Sequence, residues 1–363
     1  MKKMLYAAAN IILSIFFISC KDTTNEPTDN IQDSGKYIFY TNILPGDPVK
    51  AEIRRYNTEA GKDELFKPNA SLFGIANKRI YYFDITYPSL RIKSMNCDAA
   101  GNDTKQLLSE NNDKYLNCVI SPDGSKILYY RAEEEQSEFE IHCADLDGSN
   151  DKLIYIASGL FGYEGEPMAA FSADSKKIGI SDKQYDAVYL FTCNSDGSDF
   201  RQQKYVHGFG YMYGCLSPDG SSFAYSSLEG FDYNIEFDSS NIAVYNMNTQ
   251  ENKVLTSDGI ISYMPVWSPD GSRLAFFRQP GKLCIINADG TNLRQAGCNG
   301  SIFTQYSWWL HLKISWSPDG EKVLFMVTNA EDYNTTDLYI LDASSMKLTT
   351  VISKGSFYNA FWY

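Results

Sequence analysis

The chain has 363 residues, of which 44% are apolar, enough for one large all-β domain or for two to three average domains. Its 26 tyrosines and 21 phenylalanines can fill a sizeable core. The formal net charge of −13 argues against nucleic acid and against anionic lipid, because both require clustered lysine and arginine.

The first twenty residues have the pattern of an export signal. Lys2 and Lys3 precede the apolar run LYAAANIILSIFFIS, which is shorter than the ~20 residues that a membrane span requires. We therefore predict a signal peptide over residues 1–19, with an uncleaved anchor helix as the alternative. The sequence Phe17-Ile18-Ser19-Cys20 resembles a bacterial lipobox, although such boxes usually carry leucine at the position of Phe17. The resemblance implies lipidation of Cys20.

Residues 20–32 are predicted to be the lipidated cysteine followed by a polar tether. Lys21-Asp22 resembles the short charged signal of surface-exported lipoproteins of Bacteroidetes. These resemblances imply an outer-membrane lipoprotein of the bacterial envelope, facing the periplasm or the cell surface. The lipid anchor would then be its only contact with the membrane. The mature chain would have 30 basic residues against 45 acidic ones, a net charge of −15.

Residues 33–363 contain a repeated unit. The hexapeptides SPDGSK, SADSKK, SPDGSS, SPDGSR and SPDGEK place aspartates at 123, 174, 219, 270 and 319, with spacings of 51, 45, 51 and 49. A period near 50 suits one four-stranded blade of a β-propeller. Each motif follows a short strand such as PVW and precedes a β-forming run such as RLAFF. A third strand, a second turn and an edge strand complete the unit.

Two weaker units precede these five, at KRIYYF (78–83) and DSGKYIFY (33–40). The unit at 33–40 lacks a first strand. SFYNAFW (356–362) has the pattern of a strand that stops where SPDG would begin. We therefore predict an all-β, seven-bladed propeller in which the terminal strands share one blade, so that no sheet edge stays open. The weaker units leave six or eight blades as alternatives.

The SPDG motif is interpreted as a turn. Proline fixes φ for the second position of a type I turn, serine and aspartate suit the first and third, and glycine adopts the left-handed fourth. Carboxylates repeated once per blade around a ring do not converge on one substrate, so we predict no catalytic residue among them. The structural turn residues are Asp123, Gly124, Asp174, Asp219, Gly220, Asp270, Gly271, Asp319 and Gly320.

WSPDGSRLAFF (267–277) followed by LCIINADGTNLRQ (283–295) resembles the PD40, or WD40-like, repeat of TolB-like proteins. That repeat reads W-S-P-D-G-x-x-I-A-F and then I-Y-x-x-D-x-D-G. The resemblance covers roughly residues 33–363 and implies a single TolB-like β-propeller domain. It implies little about function, because propellers carry unrelated activities.

The sequence contains few motifs that are typical of catalysis or metal binding. The sequence has no GxSxG or HExxH motif. The second turns DLDGSND, NSDGSD and NADGTN superficially resemble calcium loops but lack the terminal glutamate of an EF-hand, so we expect no metal and no cofactor. Oligogalacturonate lyases share a TolB-like propeller and use histidines around a metal. Because His142, His207 and His311 fall at different positions in their blades, a metal-dependent polysaccharide lyase is retained only as the alternative function.

Aromatic residues concentrate in the segments predicted at the end opposite the SPDG turns. Aromatic rings among acids and amides stack on sugars or hold a peptide. We therefore expect a non-catalytic envelope lipoprotein whose propeller face binds a protein, peptide or glycan. The candidate ligand-face residues are Phe161, Tyr163, Phe209, Tyr211, Phe303, Tyr306, Trp308 and Trp309.

Seven cysteines follow Cys20, at positions 97, 118, 143, 193, 215, 284 and 298. They include no CxxC pair or close cluster, so neither a zinc site nor a redox motif is indicated. Most lie in strand-like runs, where a thiol usually acts as a small buried apolar group. The odd number leaves at least one of them unpaired.

Overall fold

The structure is a computed structural model that describes residues 35–44, 50–86, 91–97, 103–108, 115–132, 138–158, 168–184, 187–207, 214–228, 240–279, 281–297, 313–328, 335–355 and 357–363. The predicted signal peptide, Cys20 and the tether lie outside these residues. Within the described ranges, no helix is long and apolar enough to cross a membrane.

The described strands form seven antiparallel sheets of four strands each, which we call blades 1 to 7. Strands are numbered along the chain, and the strands of each blade follow one another from the inside of the ring outwards. Blade 1 contains β28 (Phe357–Trp362), β1 (Tyr37–Ile43), β2 (Ala51–Asn57) and β3 (Lys62–Pro68). Blade 2 contains β4 (Ala70–Ala76), β5 (Arg79–Asp84), β6 (Arg91–Asn96) and β7 (Lys105–Gln106). Blade 3 contains β8 (Tyr115–Ile120), β9 (Lys126–Ala132), β10 (Glu138–Asp145) and β11 (Lys152–Ser158).

Blade 4 contains β12 (Met168–Phe171), β13 (Lys177–Gln184), β14 (Ala187–Asn194) and β15 (Arg201–His207). Blade 5 contains β16 (Gly214–Leu216), β17 (Ser222–Leu228), β18 (Ser240–Asn246) and β19 (Asn252–Val254). Blade 6 contains β20 (Ser262–Trp267), β21 (Arg273–Arg278), β22 (Lys282–Asn287) and β23 (Arg294–Gly297). Blade 7 contains β24 (Lys313–Trp316), β25 (Lys322–Thr328), β26 (Thr336–Asp342) and β27 (Leu348–Gly355).

The innermost strands of the seven blades form a closed ring. Each contacts the innermost strand of the next blade, in the order β4, β8, β12, β16, β20, β24, β28 and back to β4. The prediction of seven blades is therefore confirmed, and the alternatives of six or eight are excluded.

The ring closes because the last strand of the chain pairs with the first. In the β28–β1 ladder, Trp362 lies opposite Ile38 and Phe361 opposite Phe39. The ladder continues past the strand end, where Tyr363 N donates to Tyr37 O at 2.9 Å. This pairing confirms the prediction that SFYNAFW supplies the missing strand of blade 1.

Both faces of the inner strands are buried, because every blade packs against a neighbour on each side. All six residues of β20 are buried, and so are five of the six in β21. The outermost strand β3 is largely exposed. Fully burying one large apolar side chain contributes about 1.5–3 kcal/mol, so the apolar contacts between blades stabilise the fold. This explains why the second strands are nearly continuous apolar runs rather than alternating ones.

Three tryptophans that end inner strands also form hydrogen bonds to the preceding blade. Trp267 Nε1 donates to Cys215 O at 3.2 Å, and Trp316 Nε1 donates to Val266 O at 3.1 Å. Trp362 Nε1 donates to Ser315 O at 3.1 Å. A buried indole needs such an acceptor. The three bonds link blades 5, 6, 7 and 1 in sequence, so Trp362 ties the closing strand to blade 7 as well as to blade 1.

The SPDG segments connect the first and second strands of their blades. In blade 6, Gly271 N donates to Ser268 O at 2.9 Å, and Ser268 N donates to Arg273 O at 2.8 Å. Gly271 has a φ of +70°, which glycine adopts without steric cost. The same two backbone bonds close the turns that begin at Ser121, Ser172, Ser217 and Ser317.

The turn of blade 4 differs, because Ser175 occupies the position of the glycine. Ser175 has a φ of +61°, a strained conformation for a residue with a Cβ atom. Its Oγ accepts a hydrogen bond from Asp123 N, in the turn of blade 3, at 3.0 Å. The side chain therefore bridges two turns while its backbone is strained, and these two effects oppose each other.

Removing the indole donor of the closing strand is expected to destabilise the ring. Trp362→Phe keeps an aromatic ring but leaves Ser315 O without its donor, so we expect a loss of at least about 1 kcal/mol in the free energy of unfolding. Urea denaturation measures it. Trp267→Phe removes the equivalent bond between blades 5 and 6 and provides the matched comparison. Unchanged stability of Trp362→Phe would contradict a role for this bond in closure.

Variants at Ser175 can separate the energetic cost of backbone strain from the stabilisation by the hydrogen bond from Asp123 N. Ser175→Ala removes the hydroxyl but keeps a Cβ at positive φ, whereas Ser175→Gly removes both. We expect the glycine variant to exceed the alanine variant by about 1 kcal/mol in stability. Relative to the wild type, the relief of backbone strain in Ser175→Gly is offset by loss of the bond from Asp123 N, worth about 1 kcal/mol. Chemical denaturation of the three proteins tests this, and an alanine variant as stable as the glycine variant would refute the strain.

Candidate functional site

The two ends of the propeller differ in the connections that they carry. At the turn end, first strands join second strands and third strands join fourth strands; Lys126 lies opposite Asp145 there. At the loop end, second strands join third strands, and fourth strands join the next blade. Ala132 lies opposite Phe139 at that end of blade 3.

The polar side chains of the SPDG turns are engaged within the turns. Ser268 Oγ donates to Asp270 Oδ1 at 2.6 Å and accepts from Arg273 N at 2.9 Å. Asp270 Oδ1 also accepts from Ser272 N at 3.0 Å. The same three bonds recur around Asp123, Asp174, Asp219 and Asp319.

The electrostatics of these carboxylates fit a structural role. Burial by itself would raise the pKa of Asp270, but the hydrogen bonds from Ser268 and Ser272 outweigh it and hold the pKa below its usual value. The pKa values of Asp123 and Asp219 are lowered in the same way. A carboxylate held ionised by its own turn is a poor general acid. The turns therefore provide five fixed acceptors in five different blades.

The second turns use their aspartates similarly. Asp147 Oδ1 accepts from Ser149 Oγ at 2.6 Å and from Ser149 N at 2.9 Å, and these bonds lower the pKa of Asp147. Asp196 and Asp289 make the equivalent bonds to Ser198 and Thr291. Among the described residues, no group of three or more histidine, cysteine, aspartate or glutamate side chains is arranged to hold a metal ion.

His142 is enclosed by carboxylates and an aromatic ring. Its Nδ1 lies 3.2 Å from Asp151 Oδ1, and its Nε2 lies 3.1 Å from Glu140 Oε2. The imidazole stacks on Tyr129 with ring centroids 5.1 Å apart. Both ring nitrogens thus face carboxylates of the same blade. The side chain of His207, the last residue of β15, and all of His311 lie outside the described residues.

None of the six described cysteines is in a disulfide bond, and five of them are buried. Burial raises the pKa of the Cys143 thiol to about 11 and that of Cys193 to about 12. Such thiols are almost fully protonated at neutral pH and are therefore poor nucleophiles. Cys143 Sγ donates to Ser195 O of blade 4 at 3.3 Å, so this thiol contributes to packing between blades.

The eight candidate ligand-face aromatics all lie outside the described residues. Their segments join strands that the structure does describe. Residues 159–167 join β11 to β12, residues 208–213 join β15 to β16, and residues 298–312 join β23 to β24. Each segment therefore connects the outermost strand of one blade to the innermost strand of the next, across the loop end.

Buried polar atoms at the loop end include some without a hydrogen-bond partner among the described residues. They are Ser226 Oγ, Asn359 Oδ1 and Arg278 Nε. Sequence reasoning missed Arg278. The signal was present in RLAFFR, because strand alternation places Leu274, Phe276 and Arg278 on one side of β21. An arginine in register with two core residues is an unusual buried charge.

No protein-family model matches the sequence, and no curated protein matches it either. Solved structures do match its fold. TolB from Acinetobacter baumannii is 18% identical with a TM-score of 0.54, over 99% of this chain and 93% of that one. Oligogalacturonate lyase from Vibrio parahaemolyticus is 15% identical with a TM-score of 0.56, over 93% of this chain and 98% of that one.

The β-propeller domain of the Trilobed protease from Pyrococcus furiosus is 19% identical, with a TM-score of 0.54 over 79% of this chain and 86% of that chain. That domain has an open velcro topology, whereas in this chain β28 and β1 close the ring. At these identities the likeness concerns architecture alone, because one fold can carry unrelated functions. The chain is therefore a seven-bladed β-propeller whose architecture resembles these structures, and its function has to be argued from its own residues.

Proposed function

We propose that this protein is a non-catalytic lipoprotein of the bacterial envelope that binds a protein, peptide or glycan at the loop end of its propeller. The observation that carries the proposal is the contrast between the two ends. At the turn end, the repeated serines and aspartates are engaged in hydrogen bonds within their own turns. Buried polar atoms without a partner among the described residues lie mainly at the loop end, on Ser226, Arg278 and Asn359, with Arg294 Nε as the exception at the turn end.

The composition of the connecting segments supports the same end. The loop-end segments 159–167, 208–213 and 298–312 carry the eight candidate aromatics, together with glycine, serine and asparagine. Aromatic rings supply large contact areas with little loss of conformational entropy, and amides and hydroxyls supply adaptable hydrogen bonds. Variable segments on a rigid scaffold are a common place for recognition.

The net charge restricts the partner. At −13, the protein repels polyanions at long range, which disfavours nucleic acid. Neutral glycans, neutral peptides and basic protein surfaces meet no such barrier. The loop end therefore suits a partner that is recognised by stacking and hydrogen bonding.

Membrane attachment through Cys20 is testable independently of binding. Cys20→Ser removes the thiol that would carry the acyl chains, so we expect the variant to leave the membrane fraction and to lose incorporation of labelled palmitate. Cys97→Ser, at a buried cysteine of the propeller, is the matched control and should stay with the membrane. Retention of Cys20→Ser in the membrane fraction would contradict a lipid anchor at this residue.

Partner binding is testable by comparing the two ends. A variant with Trp308→Ala and Trp309→Ala at the loop end is expected to lose at least about 90% of a partner captured from envelope extract or on a glycan array, because stacking anchors dominate binding energies. Phe200→Ala is the control, since Phe200 is an exposed aromatic residue at the turn end. Melting temperatures of all variants establish that they are folded.

Two outcomes would overturn the proposal. One is equal loss of capture in Phe200→Ala and in the double tryptophan variant. The other is turnover, in which purified protein supplied with manganese converts oligogalacturonate to unsaturated products and loses this activity in His142→Ala. The second outcome would replace binding with the lyase alternative.

A further inference from the structure

We propose that the loop end of the interface between blades 5 and 6 is a carboxylate-binding site built on Arg278. The inference deepens the proposed function, and rests on it, by naming one chemical group of the ligand. Arg278 is the last residue of β21 and lies opposite Ser262 of the innermost strand β20. The site therefore lies near the inner edge of the blades.

The direction of Arg278 follows from its strand. Leu274 and Phe276 pack with Ala224 and Ile242 of blade 5. Because side chains alternate along a strand, Arg278 turns to the same side, into the interface with blade 5. Its side chain is 4% exposed. A guanidinium is almost never buried to this degree unless its charge is balanced and its donors are used.

The donors of Arg278 are only partly used by the described residues. Nη2 forms an ion pair with Asp258 Oδ1. Nε has no acceptor among the described residues. A buried charged donor left unpaired costs more free energy than a neutral one. An additional hydrogen-bond acceptor at the Nε edge of the Arg278 guanidinium is therefore favourable.

The surrounding groups are the cation Lys282, which lies opposite Arg278 in the β21–β22 ladder, and neutral hydroxyls from both blades. From blade 5, Ser226 faces the same interface, and its Oγ has no described partner. Ser240 Oγ accepts from Ser262 N at 3.1 Å and donates to Ser262 O at 2.7 Å, which fixes the two blades beside the site. Hydroxyls next to a guanidinium edge can donate to an oxygen anion bound there.

Asp258 shows which chemistry the site accepts. It lies in the segment 255–261 that joins β19 to β20, and its side chain is 49% exposed. The contact with the Arg278 guanidinium lowers the pKa of Asp258 below its usual value. Asp258 is thus an ionised carboxylate that covers the guanidinium from the solvent side. The neighbouring Gly259 has a φ of +75° and open space around its Cα atom.

These features favour a carboxylate over a phosphate. The planar edge of a guanidinium binds a carboxylate through two parallel hydrogen bonds. A single carboxylate group carries one negative charge, and the strongly acidic protein disfavours a bound group that carries two. A ligand carboxylate would take the free edge and displace Asp258 towards solvent. Asp258 then acts as a resident competitor.

The Nε–Hε resonance of Arg278 in the 15N-labelled full chain provides the test. Succinate is the probe, succinamide is its uncharged control, and ionic strength is held constant with sodium chloride. We expect a saturable shift of this resonance with succinate and none with succinamide. Asp258→Asn should bind succinate about tenfold more tightly, equivalent to ~1.4 kcal/mol, because the competitor is removed. Arg278→Lys should abolish the response and assigns the resonance.

A shift that does not saturate, an equal shift with succinamide, or unchanged affinity in Asp258→Asn would overturn the proposal. If Arg278→Lys does not fold, the titrations of the wild-type protein and of Asp258→Asn still test the proposal. The resonance can then be assigned by its perturbation in Asp258→Asn. The titration needs no envelope partner. A negative result would therefore leave the proposed binding role intact, whereas failed partner capture together with succinate binding would contradict only that role.

Discussion

The pairing of β28 with β1 is the constraint on which the rest of the molecule depends. A ring of sheets has no free end only when its last blade is bonded to its first. In this propeller, strands from the two ends of the described chain share blade 1. Trp362 extends the closure sideways through its bond to Ser315 O in blade 7. With the ring shut, every blade has a neighbour on both faces, and each inner strand can be apolar on both sides.

Closure also explains why the two ends of the propeller differ. Short hairpins at the turn end must connect strands of fixed register, so serine, aspartate and a left-handed residue recur in each of them. The loop end carries connections whose length varies from blade to blade, since only their attachment points are fixed. The repeated SPDG motifs thus stabilise hairpins. Binding of the partner is proposed for the irregular segments at the opposite end of the propeller.

Much of the fold was predictable from the sequence. The spacing of the five SPDG-type motifs indicated the length of a blade, and two weaker units brought the predicted number to seven, with six or eight as alternatives. The missing first strand before Lys36 pointed to SFYNAFW. The contacts that could not be predicted lie between blades, because they depend on how neighbouring sheets pack against each other. The bond from Asp123 N to Ser175 Oγ and the tryptophan bonds are of this kind. Arg278 is intermediate, because alternation predicts its direction but only the packed ring shows its burial and its partner Asp258.

The central claim is that the loop end, and not the turn end, meets the partner. Ile260 at the loop end and Leu293 at the turn end are each 39% exposed, so they form a matched pair. A photo-crosslinking amino acid placed at each position in living cells tests the claim most directly. A discrete adduct from position 260 and none from position 293 is the predicted result. An adduct from position 293 alone would contradict the account.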